Sequence, residues 1–394
     1  MKRRPKPTFW LMGCEKLKIV RFERSSSDVW NRLVDESPEA WLHHRTEWVE
    51  LQTSLFKNES FMIVSDESEP LGIFVVYRSD PGPWWSFGTC NFFTGWGGGP
   101  ATARGLSKKQ RRVVVTFGLD YLKERAHVCR ASHLEVRLPS LARVHLPPLR
   151  NDVNPLWEYG FSALPRIGSV IGLARLEGVG TPTMVVDLQD RGEEQLFASC
   201  DHDCRNAIRK AMRLGVTCVQ DDGPGGLEAF HDAYKASHIH SGTQGRPLAF
   251  FQGMHRNLSE KGWLKIFLAL HGEKPVASLM LLCYKDAVTY AAGGLDYDAH
   301  ALSANNLLVW ETMRWAKQEG KKWYETGLYF PYLREDTKLA RTGKFKREFG
   351  GRAFLVFDGL SIYDWARYLE RILLEETYAW RRRRSIKQIA DADS

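Results

Sequence analysis

"WLKIFLALHGEKPVASLMLLCYKDAVTYAAGGLD", residues 263–296, holds three apolar runs parted by short polar turns. Each run is rich in β-branched, aliphatic or aromatic residues and short for a helix, so the stretch predicts three successive strands. "ANNLLVWETMRWAKQE" (304–319) then carries apolar residues at helical spacing, and "KKWYETGLY" (321–329) reads as a further strand. The order is meander, helix, strand.

Working outward, the first half repeats that order. "FMIVSDESEPLGIFVVYRS" (61–79) reads as two β-runs around an acidic turn, and "GPWWSFGTCNFF" (82–93) as a third. "LSKKQRRVVVTFGLDYLKERA" (106–126) is a helix and "SHLEVRLPS" (132–140) a strand. Upstream, Ser37 as N-cap and Pro38 at the first helical position predict a helix over about 38–56. In the second half "PTMVVDL" (182–188) and "VTCVQDD" (216–222) are strand-like, with helices over 193–214, 226–240 and 247–261. The expected fold is therefore α/β, with mixed sheets flanked by helices and an internal duplication. The expected boundaries are 15–180 for an N-terminal domain and 181–358 for a C-terminal one. Residues 359–394 are expected to form a C-terminal helix and basic tail packing back on the N-terminal domain.

A chain of 394 residues suits two domains. Its 43% hydrophobic and 26% charged composition is that of a globular protein. No apolar run approaches the ~18 residues that span a bilayer, and the basic start lacks an apolar core. The expectation is a cytoplasmic protein without a transmembrane segment. Seven scattered cysteines, with no CxxC pair, argue for reduced thiols. The net charge of +8 suits an anionic partner such as tRNA, a nucleotide, coenzyme A or a membrane surface touched peripherally; DNA is not expected.

No HExxH, GxSxG, P-loop or strand-borne GxGxxG occurs, which removes weight from zinc proteases, α/β-hydrolases and P-loop kinases. His43 with His44, and His238 with His240, have no acidic or cysteine partner at zinc spacing, so no metal is expected. Three cationic stretches remain. In "HDCRNAIRKAMRLGV" (202–216) Arg205, Arg209 and Arg213 recur every fourth residue, a stripe that is either solvated or supports an anionic substrate. In "HSGTQGRPLAFFQGM" (240–254) Arg246 stands in a Gly-rich loop ahead of an aromatic helix, a setting that can grip phosphate or carboxylate. In "RTGKFKREFGGR" (341–352) Lys344 and Lys346 point the same way if the segment is extended and apart if it is helical.

"RNAIRKAMRLGV", "GRPLAFFQGM" and "GKFKREFGG", in this order, resemble the Fem-type peptidyltransferases over about residues 195–352. The resemblance implies two tandem GNAT-like (acyl-CoA N-acyltransferase) domains and transfer of an amino acid from aminoacyl-tRNA to an amine of a small peptide or cell-envelope precursor. It implies Lys346, in the pair Phe345–Lys346, as the catalytic residue that stabilises charge on the reacting carbonyl, and Arg246 as a phosphate contact. Phe345, Arg205, Arg209, Tyr329 and Lys344 are the other expected substrate-binding residues. No covalent nucleophile is needed, because the acyl group arrives activated, and no bound cofactor is expected beyond the donor substrate, aminoacyl-tRNA or alternatively acyl-CoA. The long helical arm of some relatives is missing, and Gln52 stands where a basic side chain would suit a nucleotide-linked acceptor. The architecture is also similar to acyl-CoA-dependent N-acyltransferases acting on amino sugars or amino acids. "GLDYDAHALSANNLL" (294–308) lacks the glycines of a Q/RxxGxG/A coenzyme A loop. A non-catalytic anion or RNA binding module is the third alternative.

Overall fold

The computed structural model describes residues 10–11, 15–79, 90–162, 182–330 and 338–371. Its contacts divide the chain into two units, Met1–Gly180 with Phe357–Ser394, and Thr181–Val356.

The first unit begins with β1 (Trp10–Leu11), β2 (Glu15–Lys16), β3 (Lys18–Arg21), α1 (Ser27–Glu36) and α2 (Thr46–Thr53). The expected helix over 38–56 is thus replaced by a 3-10 turn and the shorter α2, with α1 ending ahead of it at Glu36. Ser37 ends α1 by donating its N–H to Leu33 O at 2.8 Å, and a residue before proline is biased out of the helical region. The chain then folds through a short 3-10 turn, Leu42–His44, that buries Trp41, Leu42 and His44. Trp30 Nε1 donates to His44 O at 2.7 Å, so tertiary contacts hold a segment that local spacing assigns to a helix.

After β4 (Lys57–Asn58) come β5 (Phe61–Val64), β6 (Pro70–Phe74), β7 (Tyr77–Arg78), β8 (Cys90–Phe93) and β9 (Ala101–Thr102). These strands do not form the single meander expected. β5 and β6 join a sheet ordered β3-β5-β6-β9, while β4, β7 and β8 belong to a second sheet. The chain changes sheets at Val75–Val76, both fully buried. The long α3 (Lys108–Cys129) leads to β10 (Ala131–Arg137), which lies parallel to β8. Most of the expected strand "GPWWSFGTCNFF" ahead of Cys90 lies outside the described residues.

The second unit runs β11 (Pro182–Asp187), α4 (Glu193–Ser199), α5 (His202–Arg213), β12 (Val216–Gln220), α6 (Pro224–His240), α7 (Leu248–Leu258), β13 (Leu264–His271), β14 (Lys274–Tyr284), β15 (Ala287–Leu295), α8 (Ala304–Gln318), β16 (Trp323–Leu328), α9 (Lys338–Arg347) and β17 (Arg352–Leu355). Its strands make one sheet in the order β12-β13-β14-β15-β16-β11-β17. The three runs first quoted are β13, β14 and β15, antiparallel neighbours as their short turns require. Leu279, Leu281 and Cys283 of β14 face a core shared with α5 and α8. On the opposite face Ser278 Oγ donates to Phe230 O of α6 at 3.2 Å, the alternation a strand imposes. The expected helix over 193–214 is broken between α4 and α5, where Asp201 N–H donates to Glu348 O at 2.8 Å.

The chain returns to the first unit through β18 (Asp358–Ile362), antiparallel to β10. Leu360–Ile362, expected to start the closing helix, are therefore a strand. Helix begins at 365, and the basic end beyond 371 lies outside the described residues. Among the described residues no helix is long and apolar enough to cross a membrane.

Candidate active site

The sheet of the second unit opens between its two parallel strands. Ala287, Val288 and Thr289 of β15 pair with Trp323, Tyr324 and Glu325 of β16, and the pairing goes no further. Each strand has a bulge just beyond. In β15, Ala291 is the extra residue, since Leu281 opposes Tyr290 and Met280 opposes Ala292. In β16, Thr326 is extra, since Val185 opposes Glu325 and Met184 opposes Gly327. Bulges bend a strand and re-aim its side chains, and here two at one level part the strands into a wedge.

The outer end of β15 is covered. A Cβ on Gly294 would lie 2.2 Å from the backbone of Ala233 and Tyr234, so the α6 backbone rests directly on this strand and requires glycine there. On β16, Gly327 has φ +109°, and a Cβ there would lie 2.6 Å from Lys346 Nζ. The Lys346 side chain therefore lies along the bulge of β16. Its ammonium is 5.8 Å from the centre of the Tyr290 ring of β15.

The segment that sequence left open between strand and helix is helical, α9. Residues two apart on a helix point about 200° apart. Lys344 accordingly is exposed, while Lys346 is half-buried and turned to the sheet. Burial lowers the Lys346 pKa to about 8, against the opposing pull of Glu325. Glu325, 9% exposed, accepts from Thr183 Oγ1 at 2.8 Å and Thr289 Oγ1 at 2.7 Å, which fixes the carboxylate between β11 and β15. Thr326 Oγ1 donates to Lys346 O at 3.0 Å and ties the end of α9 to the same bulge. Burial also raises the Tyr290 pKa to about 12, keeping that hydroxyl neutral. The arrangement offers a partly dehydrated cation, a neutral phenol and an anchored carboxylate beside an open strand edge.

The other residues singled out in the sequence take different positions. Phe345 packs on the core, its ring 5.2 Å from that of the fully buried Phe349. Tyr329 follows β16, donates its N–H to Pro182 O at 2.8 Å, and has the Arg347 guanidinium 5.9 Å from its ring. Arg246 sits on the loop between α6 and α7. Its N–H donates to Tyr234 Oη at 3.2 Å and its guanidinium lies 4.4 Å from the Phe250 ring centre. Two arginines of the α5 stripe pack on α4, while Arg213 is exposed. Arg205 Nη1 donates to Ala198 O at 3.1 Å and to Cys200 O, satisfying carbonyls at the α4 C-terminus, and Arg209 stacks 5.1 Å from the Phe197 ring centre. Lys346 thus lies at the bulge of β16, while Phe345 packs on the core, Tyr329 neighbours Arg347, and Arg205 and Arg209 have local partners. Glu325, Tyr290 and Gly327 were not singled out. A buried glutamate inside "WYETG" is the signal that points to the first, and nothing local marks Thr183 or Thr289.

Residues 198–332 match the family described as Acetyltransferase (GNAT) domain. The solved structure of FemX matches with a TM-score of 0.66 at 15% identity, covering 90% of this chain and 99% of that one. This is a Fem-like tandem GNAT fold. The C-terminal domain of a putative lysylphosphatidylglycerol synthetase from Agrobacterium fabrum matches the tandem GNAT chain with a TM-score of 0.54 at 12% identity, covering 90% of this chain and 96% of that one. L-PGS from Bacillus licheniformis follows at 0.51 and 10% identity, again covering 90% and 96%. By sequence alone, no curated protein matches the tandem GNAT chain.

Proposed function

We propose that the protein is an amide-forming acyltransferase that moves an activated acyl group onto an amine at the wedge between β15 and β16. The observation that carries this reading is the Lys346 ammonium, laid over Gly327 where the strands part. The amine attacks the carbonyl carbon of an ester or thioester, giving a tetrahedral oxyanion. As that intermediate collapses, the C–N bond is kept, the C–O or C–S bond breaks, and the proton shed by the attacking nitrogen ends on the leaving oxygen or sulfur. A cation fixed beside the oxyanion lowers this barrier, and removal of one such donor typically costs ~10²–10³ in rate. Below a pKa of about 8 Lys346 carries its charge, so it is in the right state at neutral pH. No covalent nucleophile is required, because positioning activates an acyl group that arrives already activated.

The donor we propose is aminoacyl-tRNA, supported by the net charge of +8, by Arg246 in its Gly-rich loop and by the resemblance to Fem-type enzymes. The proposed acceptor is an amine of a small peptide, cell-envelope precursor or secondary metabolite. The GNAT match over 198–332 favours acyl-CoA as the second reading of the donor. Incubation with charged tRNA or acetyl-CoA, each with a panel of amines, separates the two. Amide product from charged tRNA, reduced ~10²-fold or more in Lys346→Met, supports the first reading. Product from acetyl-CoA alone replaces the donor, and a Lys346→Met variant as active as the parent overturns the role of Lys346.

A further inference from the structure

The first unit has a half-open cavity of about 340 Å³ between the first turns of α3 and the chain that follows β10. Val115, Leu138, Val144, Leu149 and Phe357 make its walls largely apolar. Lys108, Arg111 and Val115 lie on one face of α3 and bring two cations to it.

Arg111 is held from behind. Glu39 Oε2 accepts from Thr102 N and Oγ1, both at 2.8 Å, and its Oε1 stands 3.2 Å from Arg111 Nε. Among the described residues no hydrogen bond reaches the two terminal nitrogens of that guanidinium, and the side chain is 38% exposed. Lys108 pairs with Glu158 at 3.0 Å on the surface, where such pairs contribute little. His145 lines the same cavity, 7% exposed, its ring 5.3 Å from that of Phe357. Among the described residues its ring makes no hydrogen bond, nor does the Tyr159 hydroxyl on the same lining. Burial and the Arg150 charge push the His145 pKa down to about 3, leaving a neutral imidazole with one donor and one acceptor. Burial likewise raises that of Tyr159 to about 12.

Apolar walls with a few unpartnered polar groups are the usual make-up of a small-molecule site, and buried polar groups are normally bonded. We propose that this cavity binds a small carboxylic acid with an apolar body, its carboxylate on Arg111 and a second polar group on His145. A guanidinium with its outer edge open matches a carboxylate in two-point geometry. Glu39 and Glu158 balance Arg111 and Lys108, so the mouth suits a monoanion better than a phosphate dianion. The unpartnered imidazole selects, among apolar carboxylates, one that carries an amide, as an N-acyl amino acid or a peptide C-terminus does. This reading is independent of the wedge in the second unit.

The test is calorimetric titration of the full chain with octanoate, N-acetyl-leucine and N-acetyl-leucinamide. N-acetyl-leucine should bind saturably and more tightly than octanoate, and the amide, which lacks the charge, at least about 10-fold more weakly than either. Arg111→Met should weaken both acids by about 10-fold to 100-fold, and His145→Phe only N-acetyl-leucine. Leu149→Trp, at an exposed rim position that tolerates substitution, should block both. Tighter binding of octanoate would assign the carboxylate to a fatty acid and overturn the role of His145. Equal binding of the amide, no effect of Arg111→Met and Leu149→Trp, or no binding of either acid would overturn the site.

Discussion

Replacing Gly327 by alanine tests the wedge with one methyl group. The new Cβ would lie 2.6 Å from Lys346 Nζ, and ordinary contact begins near 3.5 Å, so the ammonium must retreat by about 1 Å. A misplacement of that size at a reacting centre costs ~10²-fold in rate. The backbone also objects, because φ at this position is +109°, outside what L side chains adopt, at a cost of about 1–3 kcal/mol. For a unit of this size that lowers Tm by about 2–12 °C. Gly320 separates the two effects. Its φ is +70° and a Cβ there meets nothing within 4 Å, so Gly320→Ala carries backbone strain without touching Lys346. Single-turnover amide formation and thermal melts on both variants give the comparison. Gly327→Ala should lose about two orders of magnitude in rate, and Gly320→Ala should melt earlier but turn over normally. Equal turnover in the two variants would refute the placement of Lys346 at the reacting carbonyl.

If the Lys346 cation stabilises the oxyanion, the alkaline limb of the rate profile should fall through about pH 8, the value to which burial lowers this side chain. The same shift gives a stability test: free lysine titrates near 10.4, so between about pH 8 and that value the unfolded chain binds more protons and the parent should gain stability relative to Lys346→Met as pH rises. Glu325→Gln removes the charge that raises the Lys346 pKa, and should move the alkaline limb to lower pH; an unmoved limb would separate the two residues. Arg205→Ala should destabilise the second unit by roughly 1.5–3 kcal/mol through the lost bonds to Ala198 and Cys200, with little change in turnover; the opposite pattern would restore its substrate role. Arg246→Ala should reduce the salt dependence of tRNA binding by about one unit of slope in a logarithmic plot, and an unchanged slope would remove this phosphate contact.

The strands β13 to β15 were legible because apolar runs bounded by tight turns admit few alternatives. The stretch after Ser37 was misread for a reason of the same kind, since Ser–Pro is as good an exit from α1 as an entry to a new helix. Only the burial of Trp41 and His44, set by distant residues, decides between them. Lys346 could be named from a resemblance, but its direction could not, because helix and strand send residues 344 and 346 to different places. Gly327 and Glu325 escaped notice because a bulge cancels the alternation by which strands are read. The sequence left the α5 arginines open between a solvated face and a substrate contact, because the break that brings α4 beside Arg205 and Arg209 has no strong local signature.

The paired bulges of β15 and β16 bear on how such a chain can vary over time. A side chain lining the wedge can be exchanged and its neighbour adjusted, whereas one residue added to or removed from either strand would swap inward and outward faces from there to the strand end. Strand length around Ala291 and Thr326 should therefore tolerate less change than residue identity does.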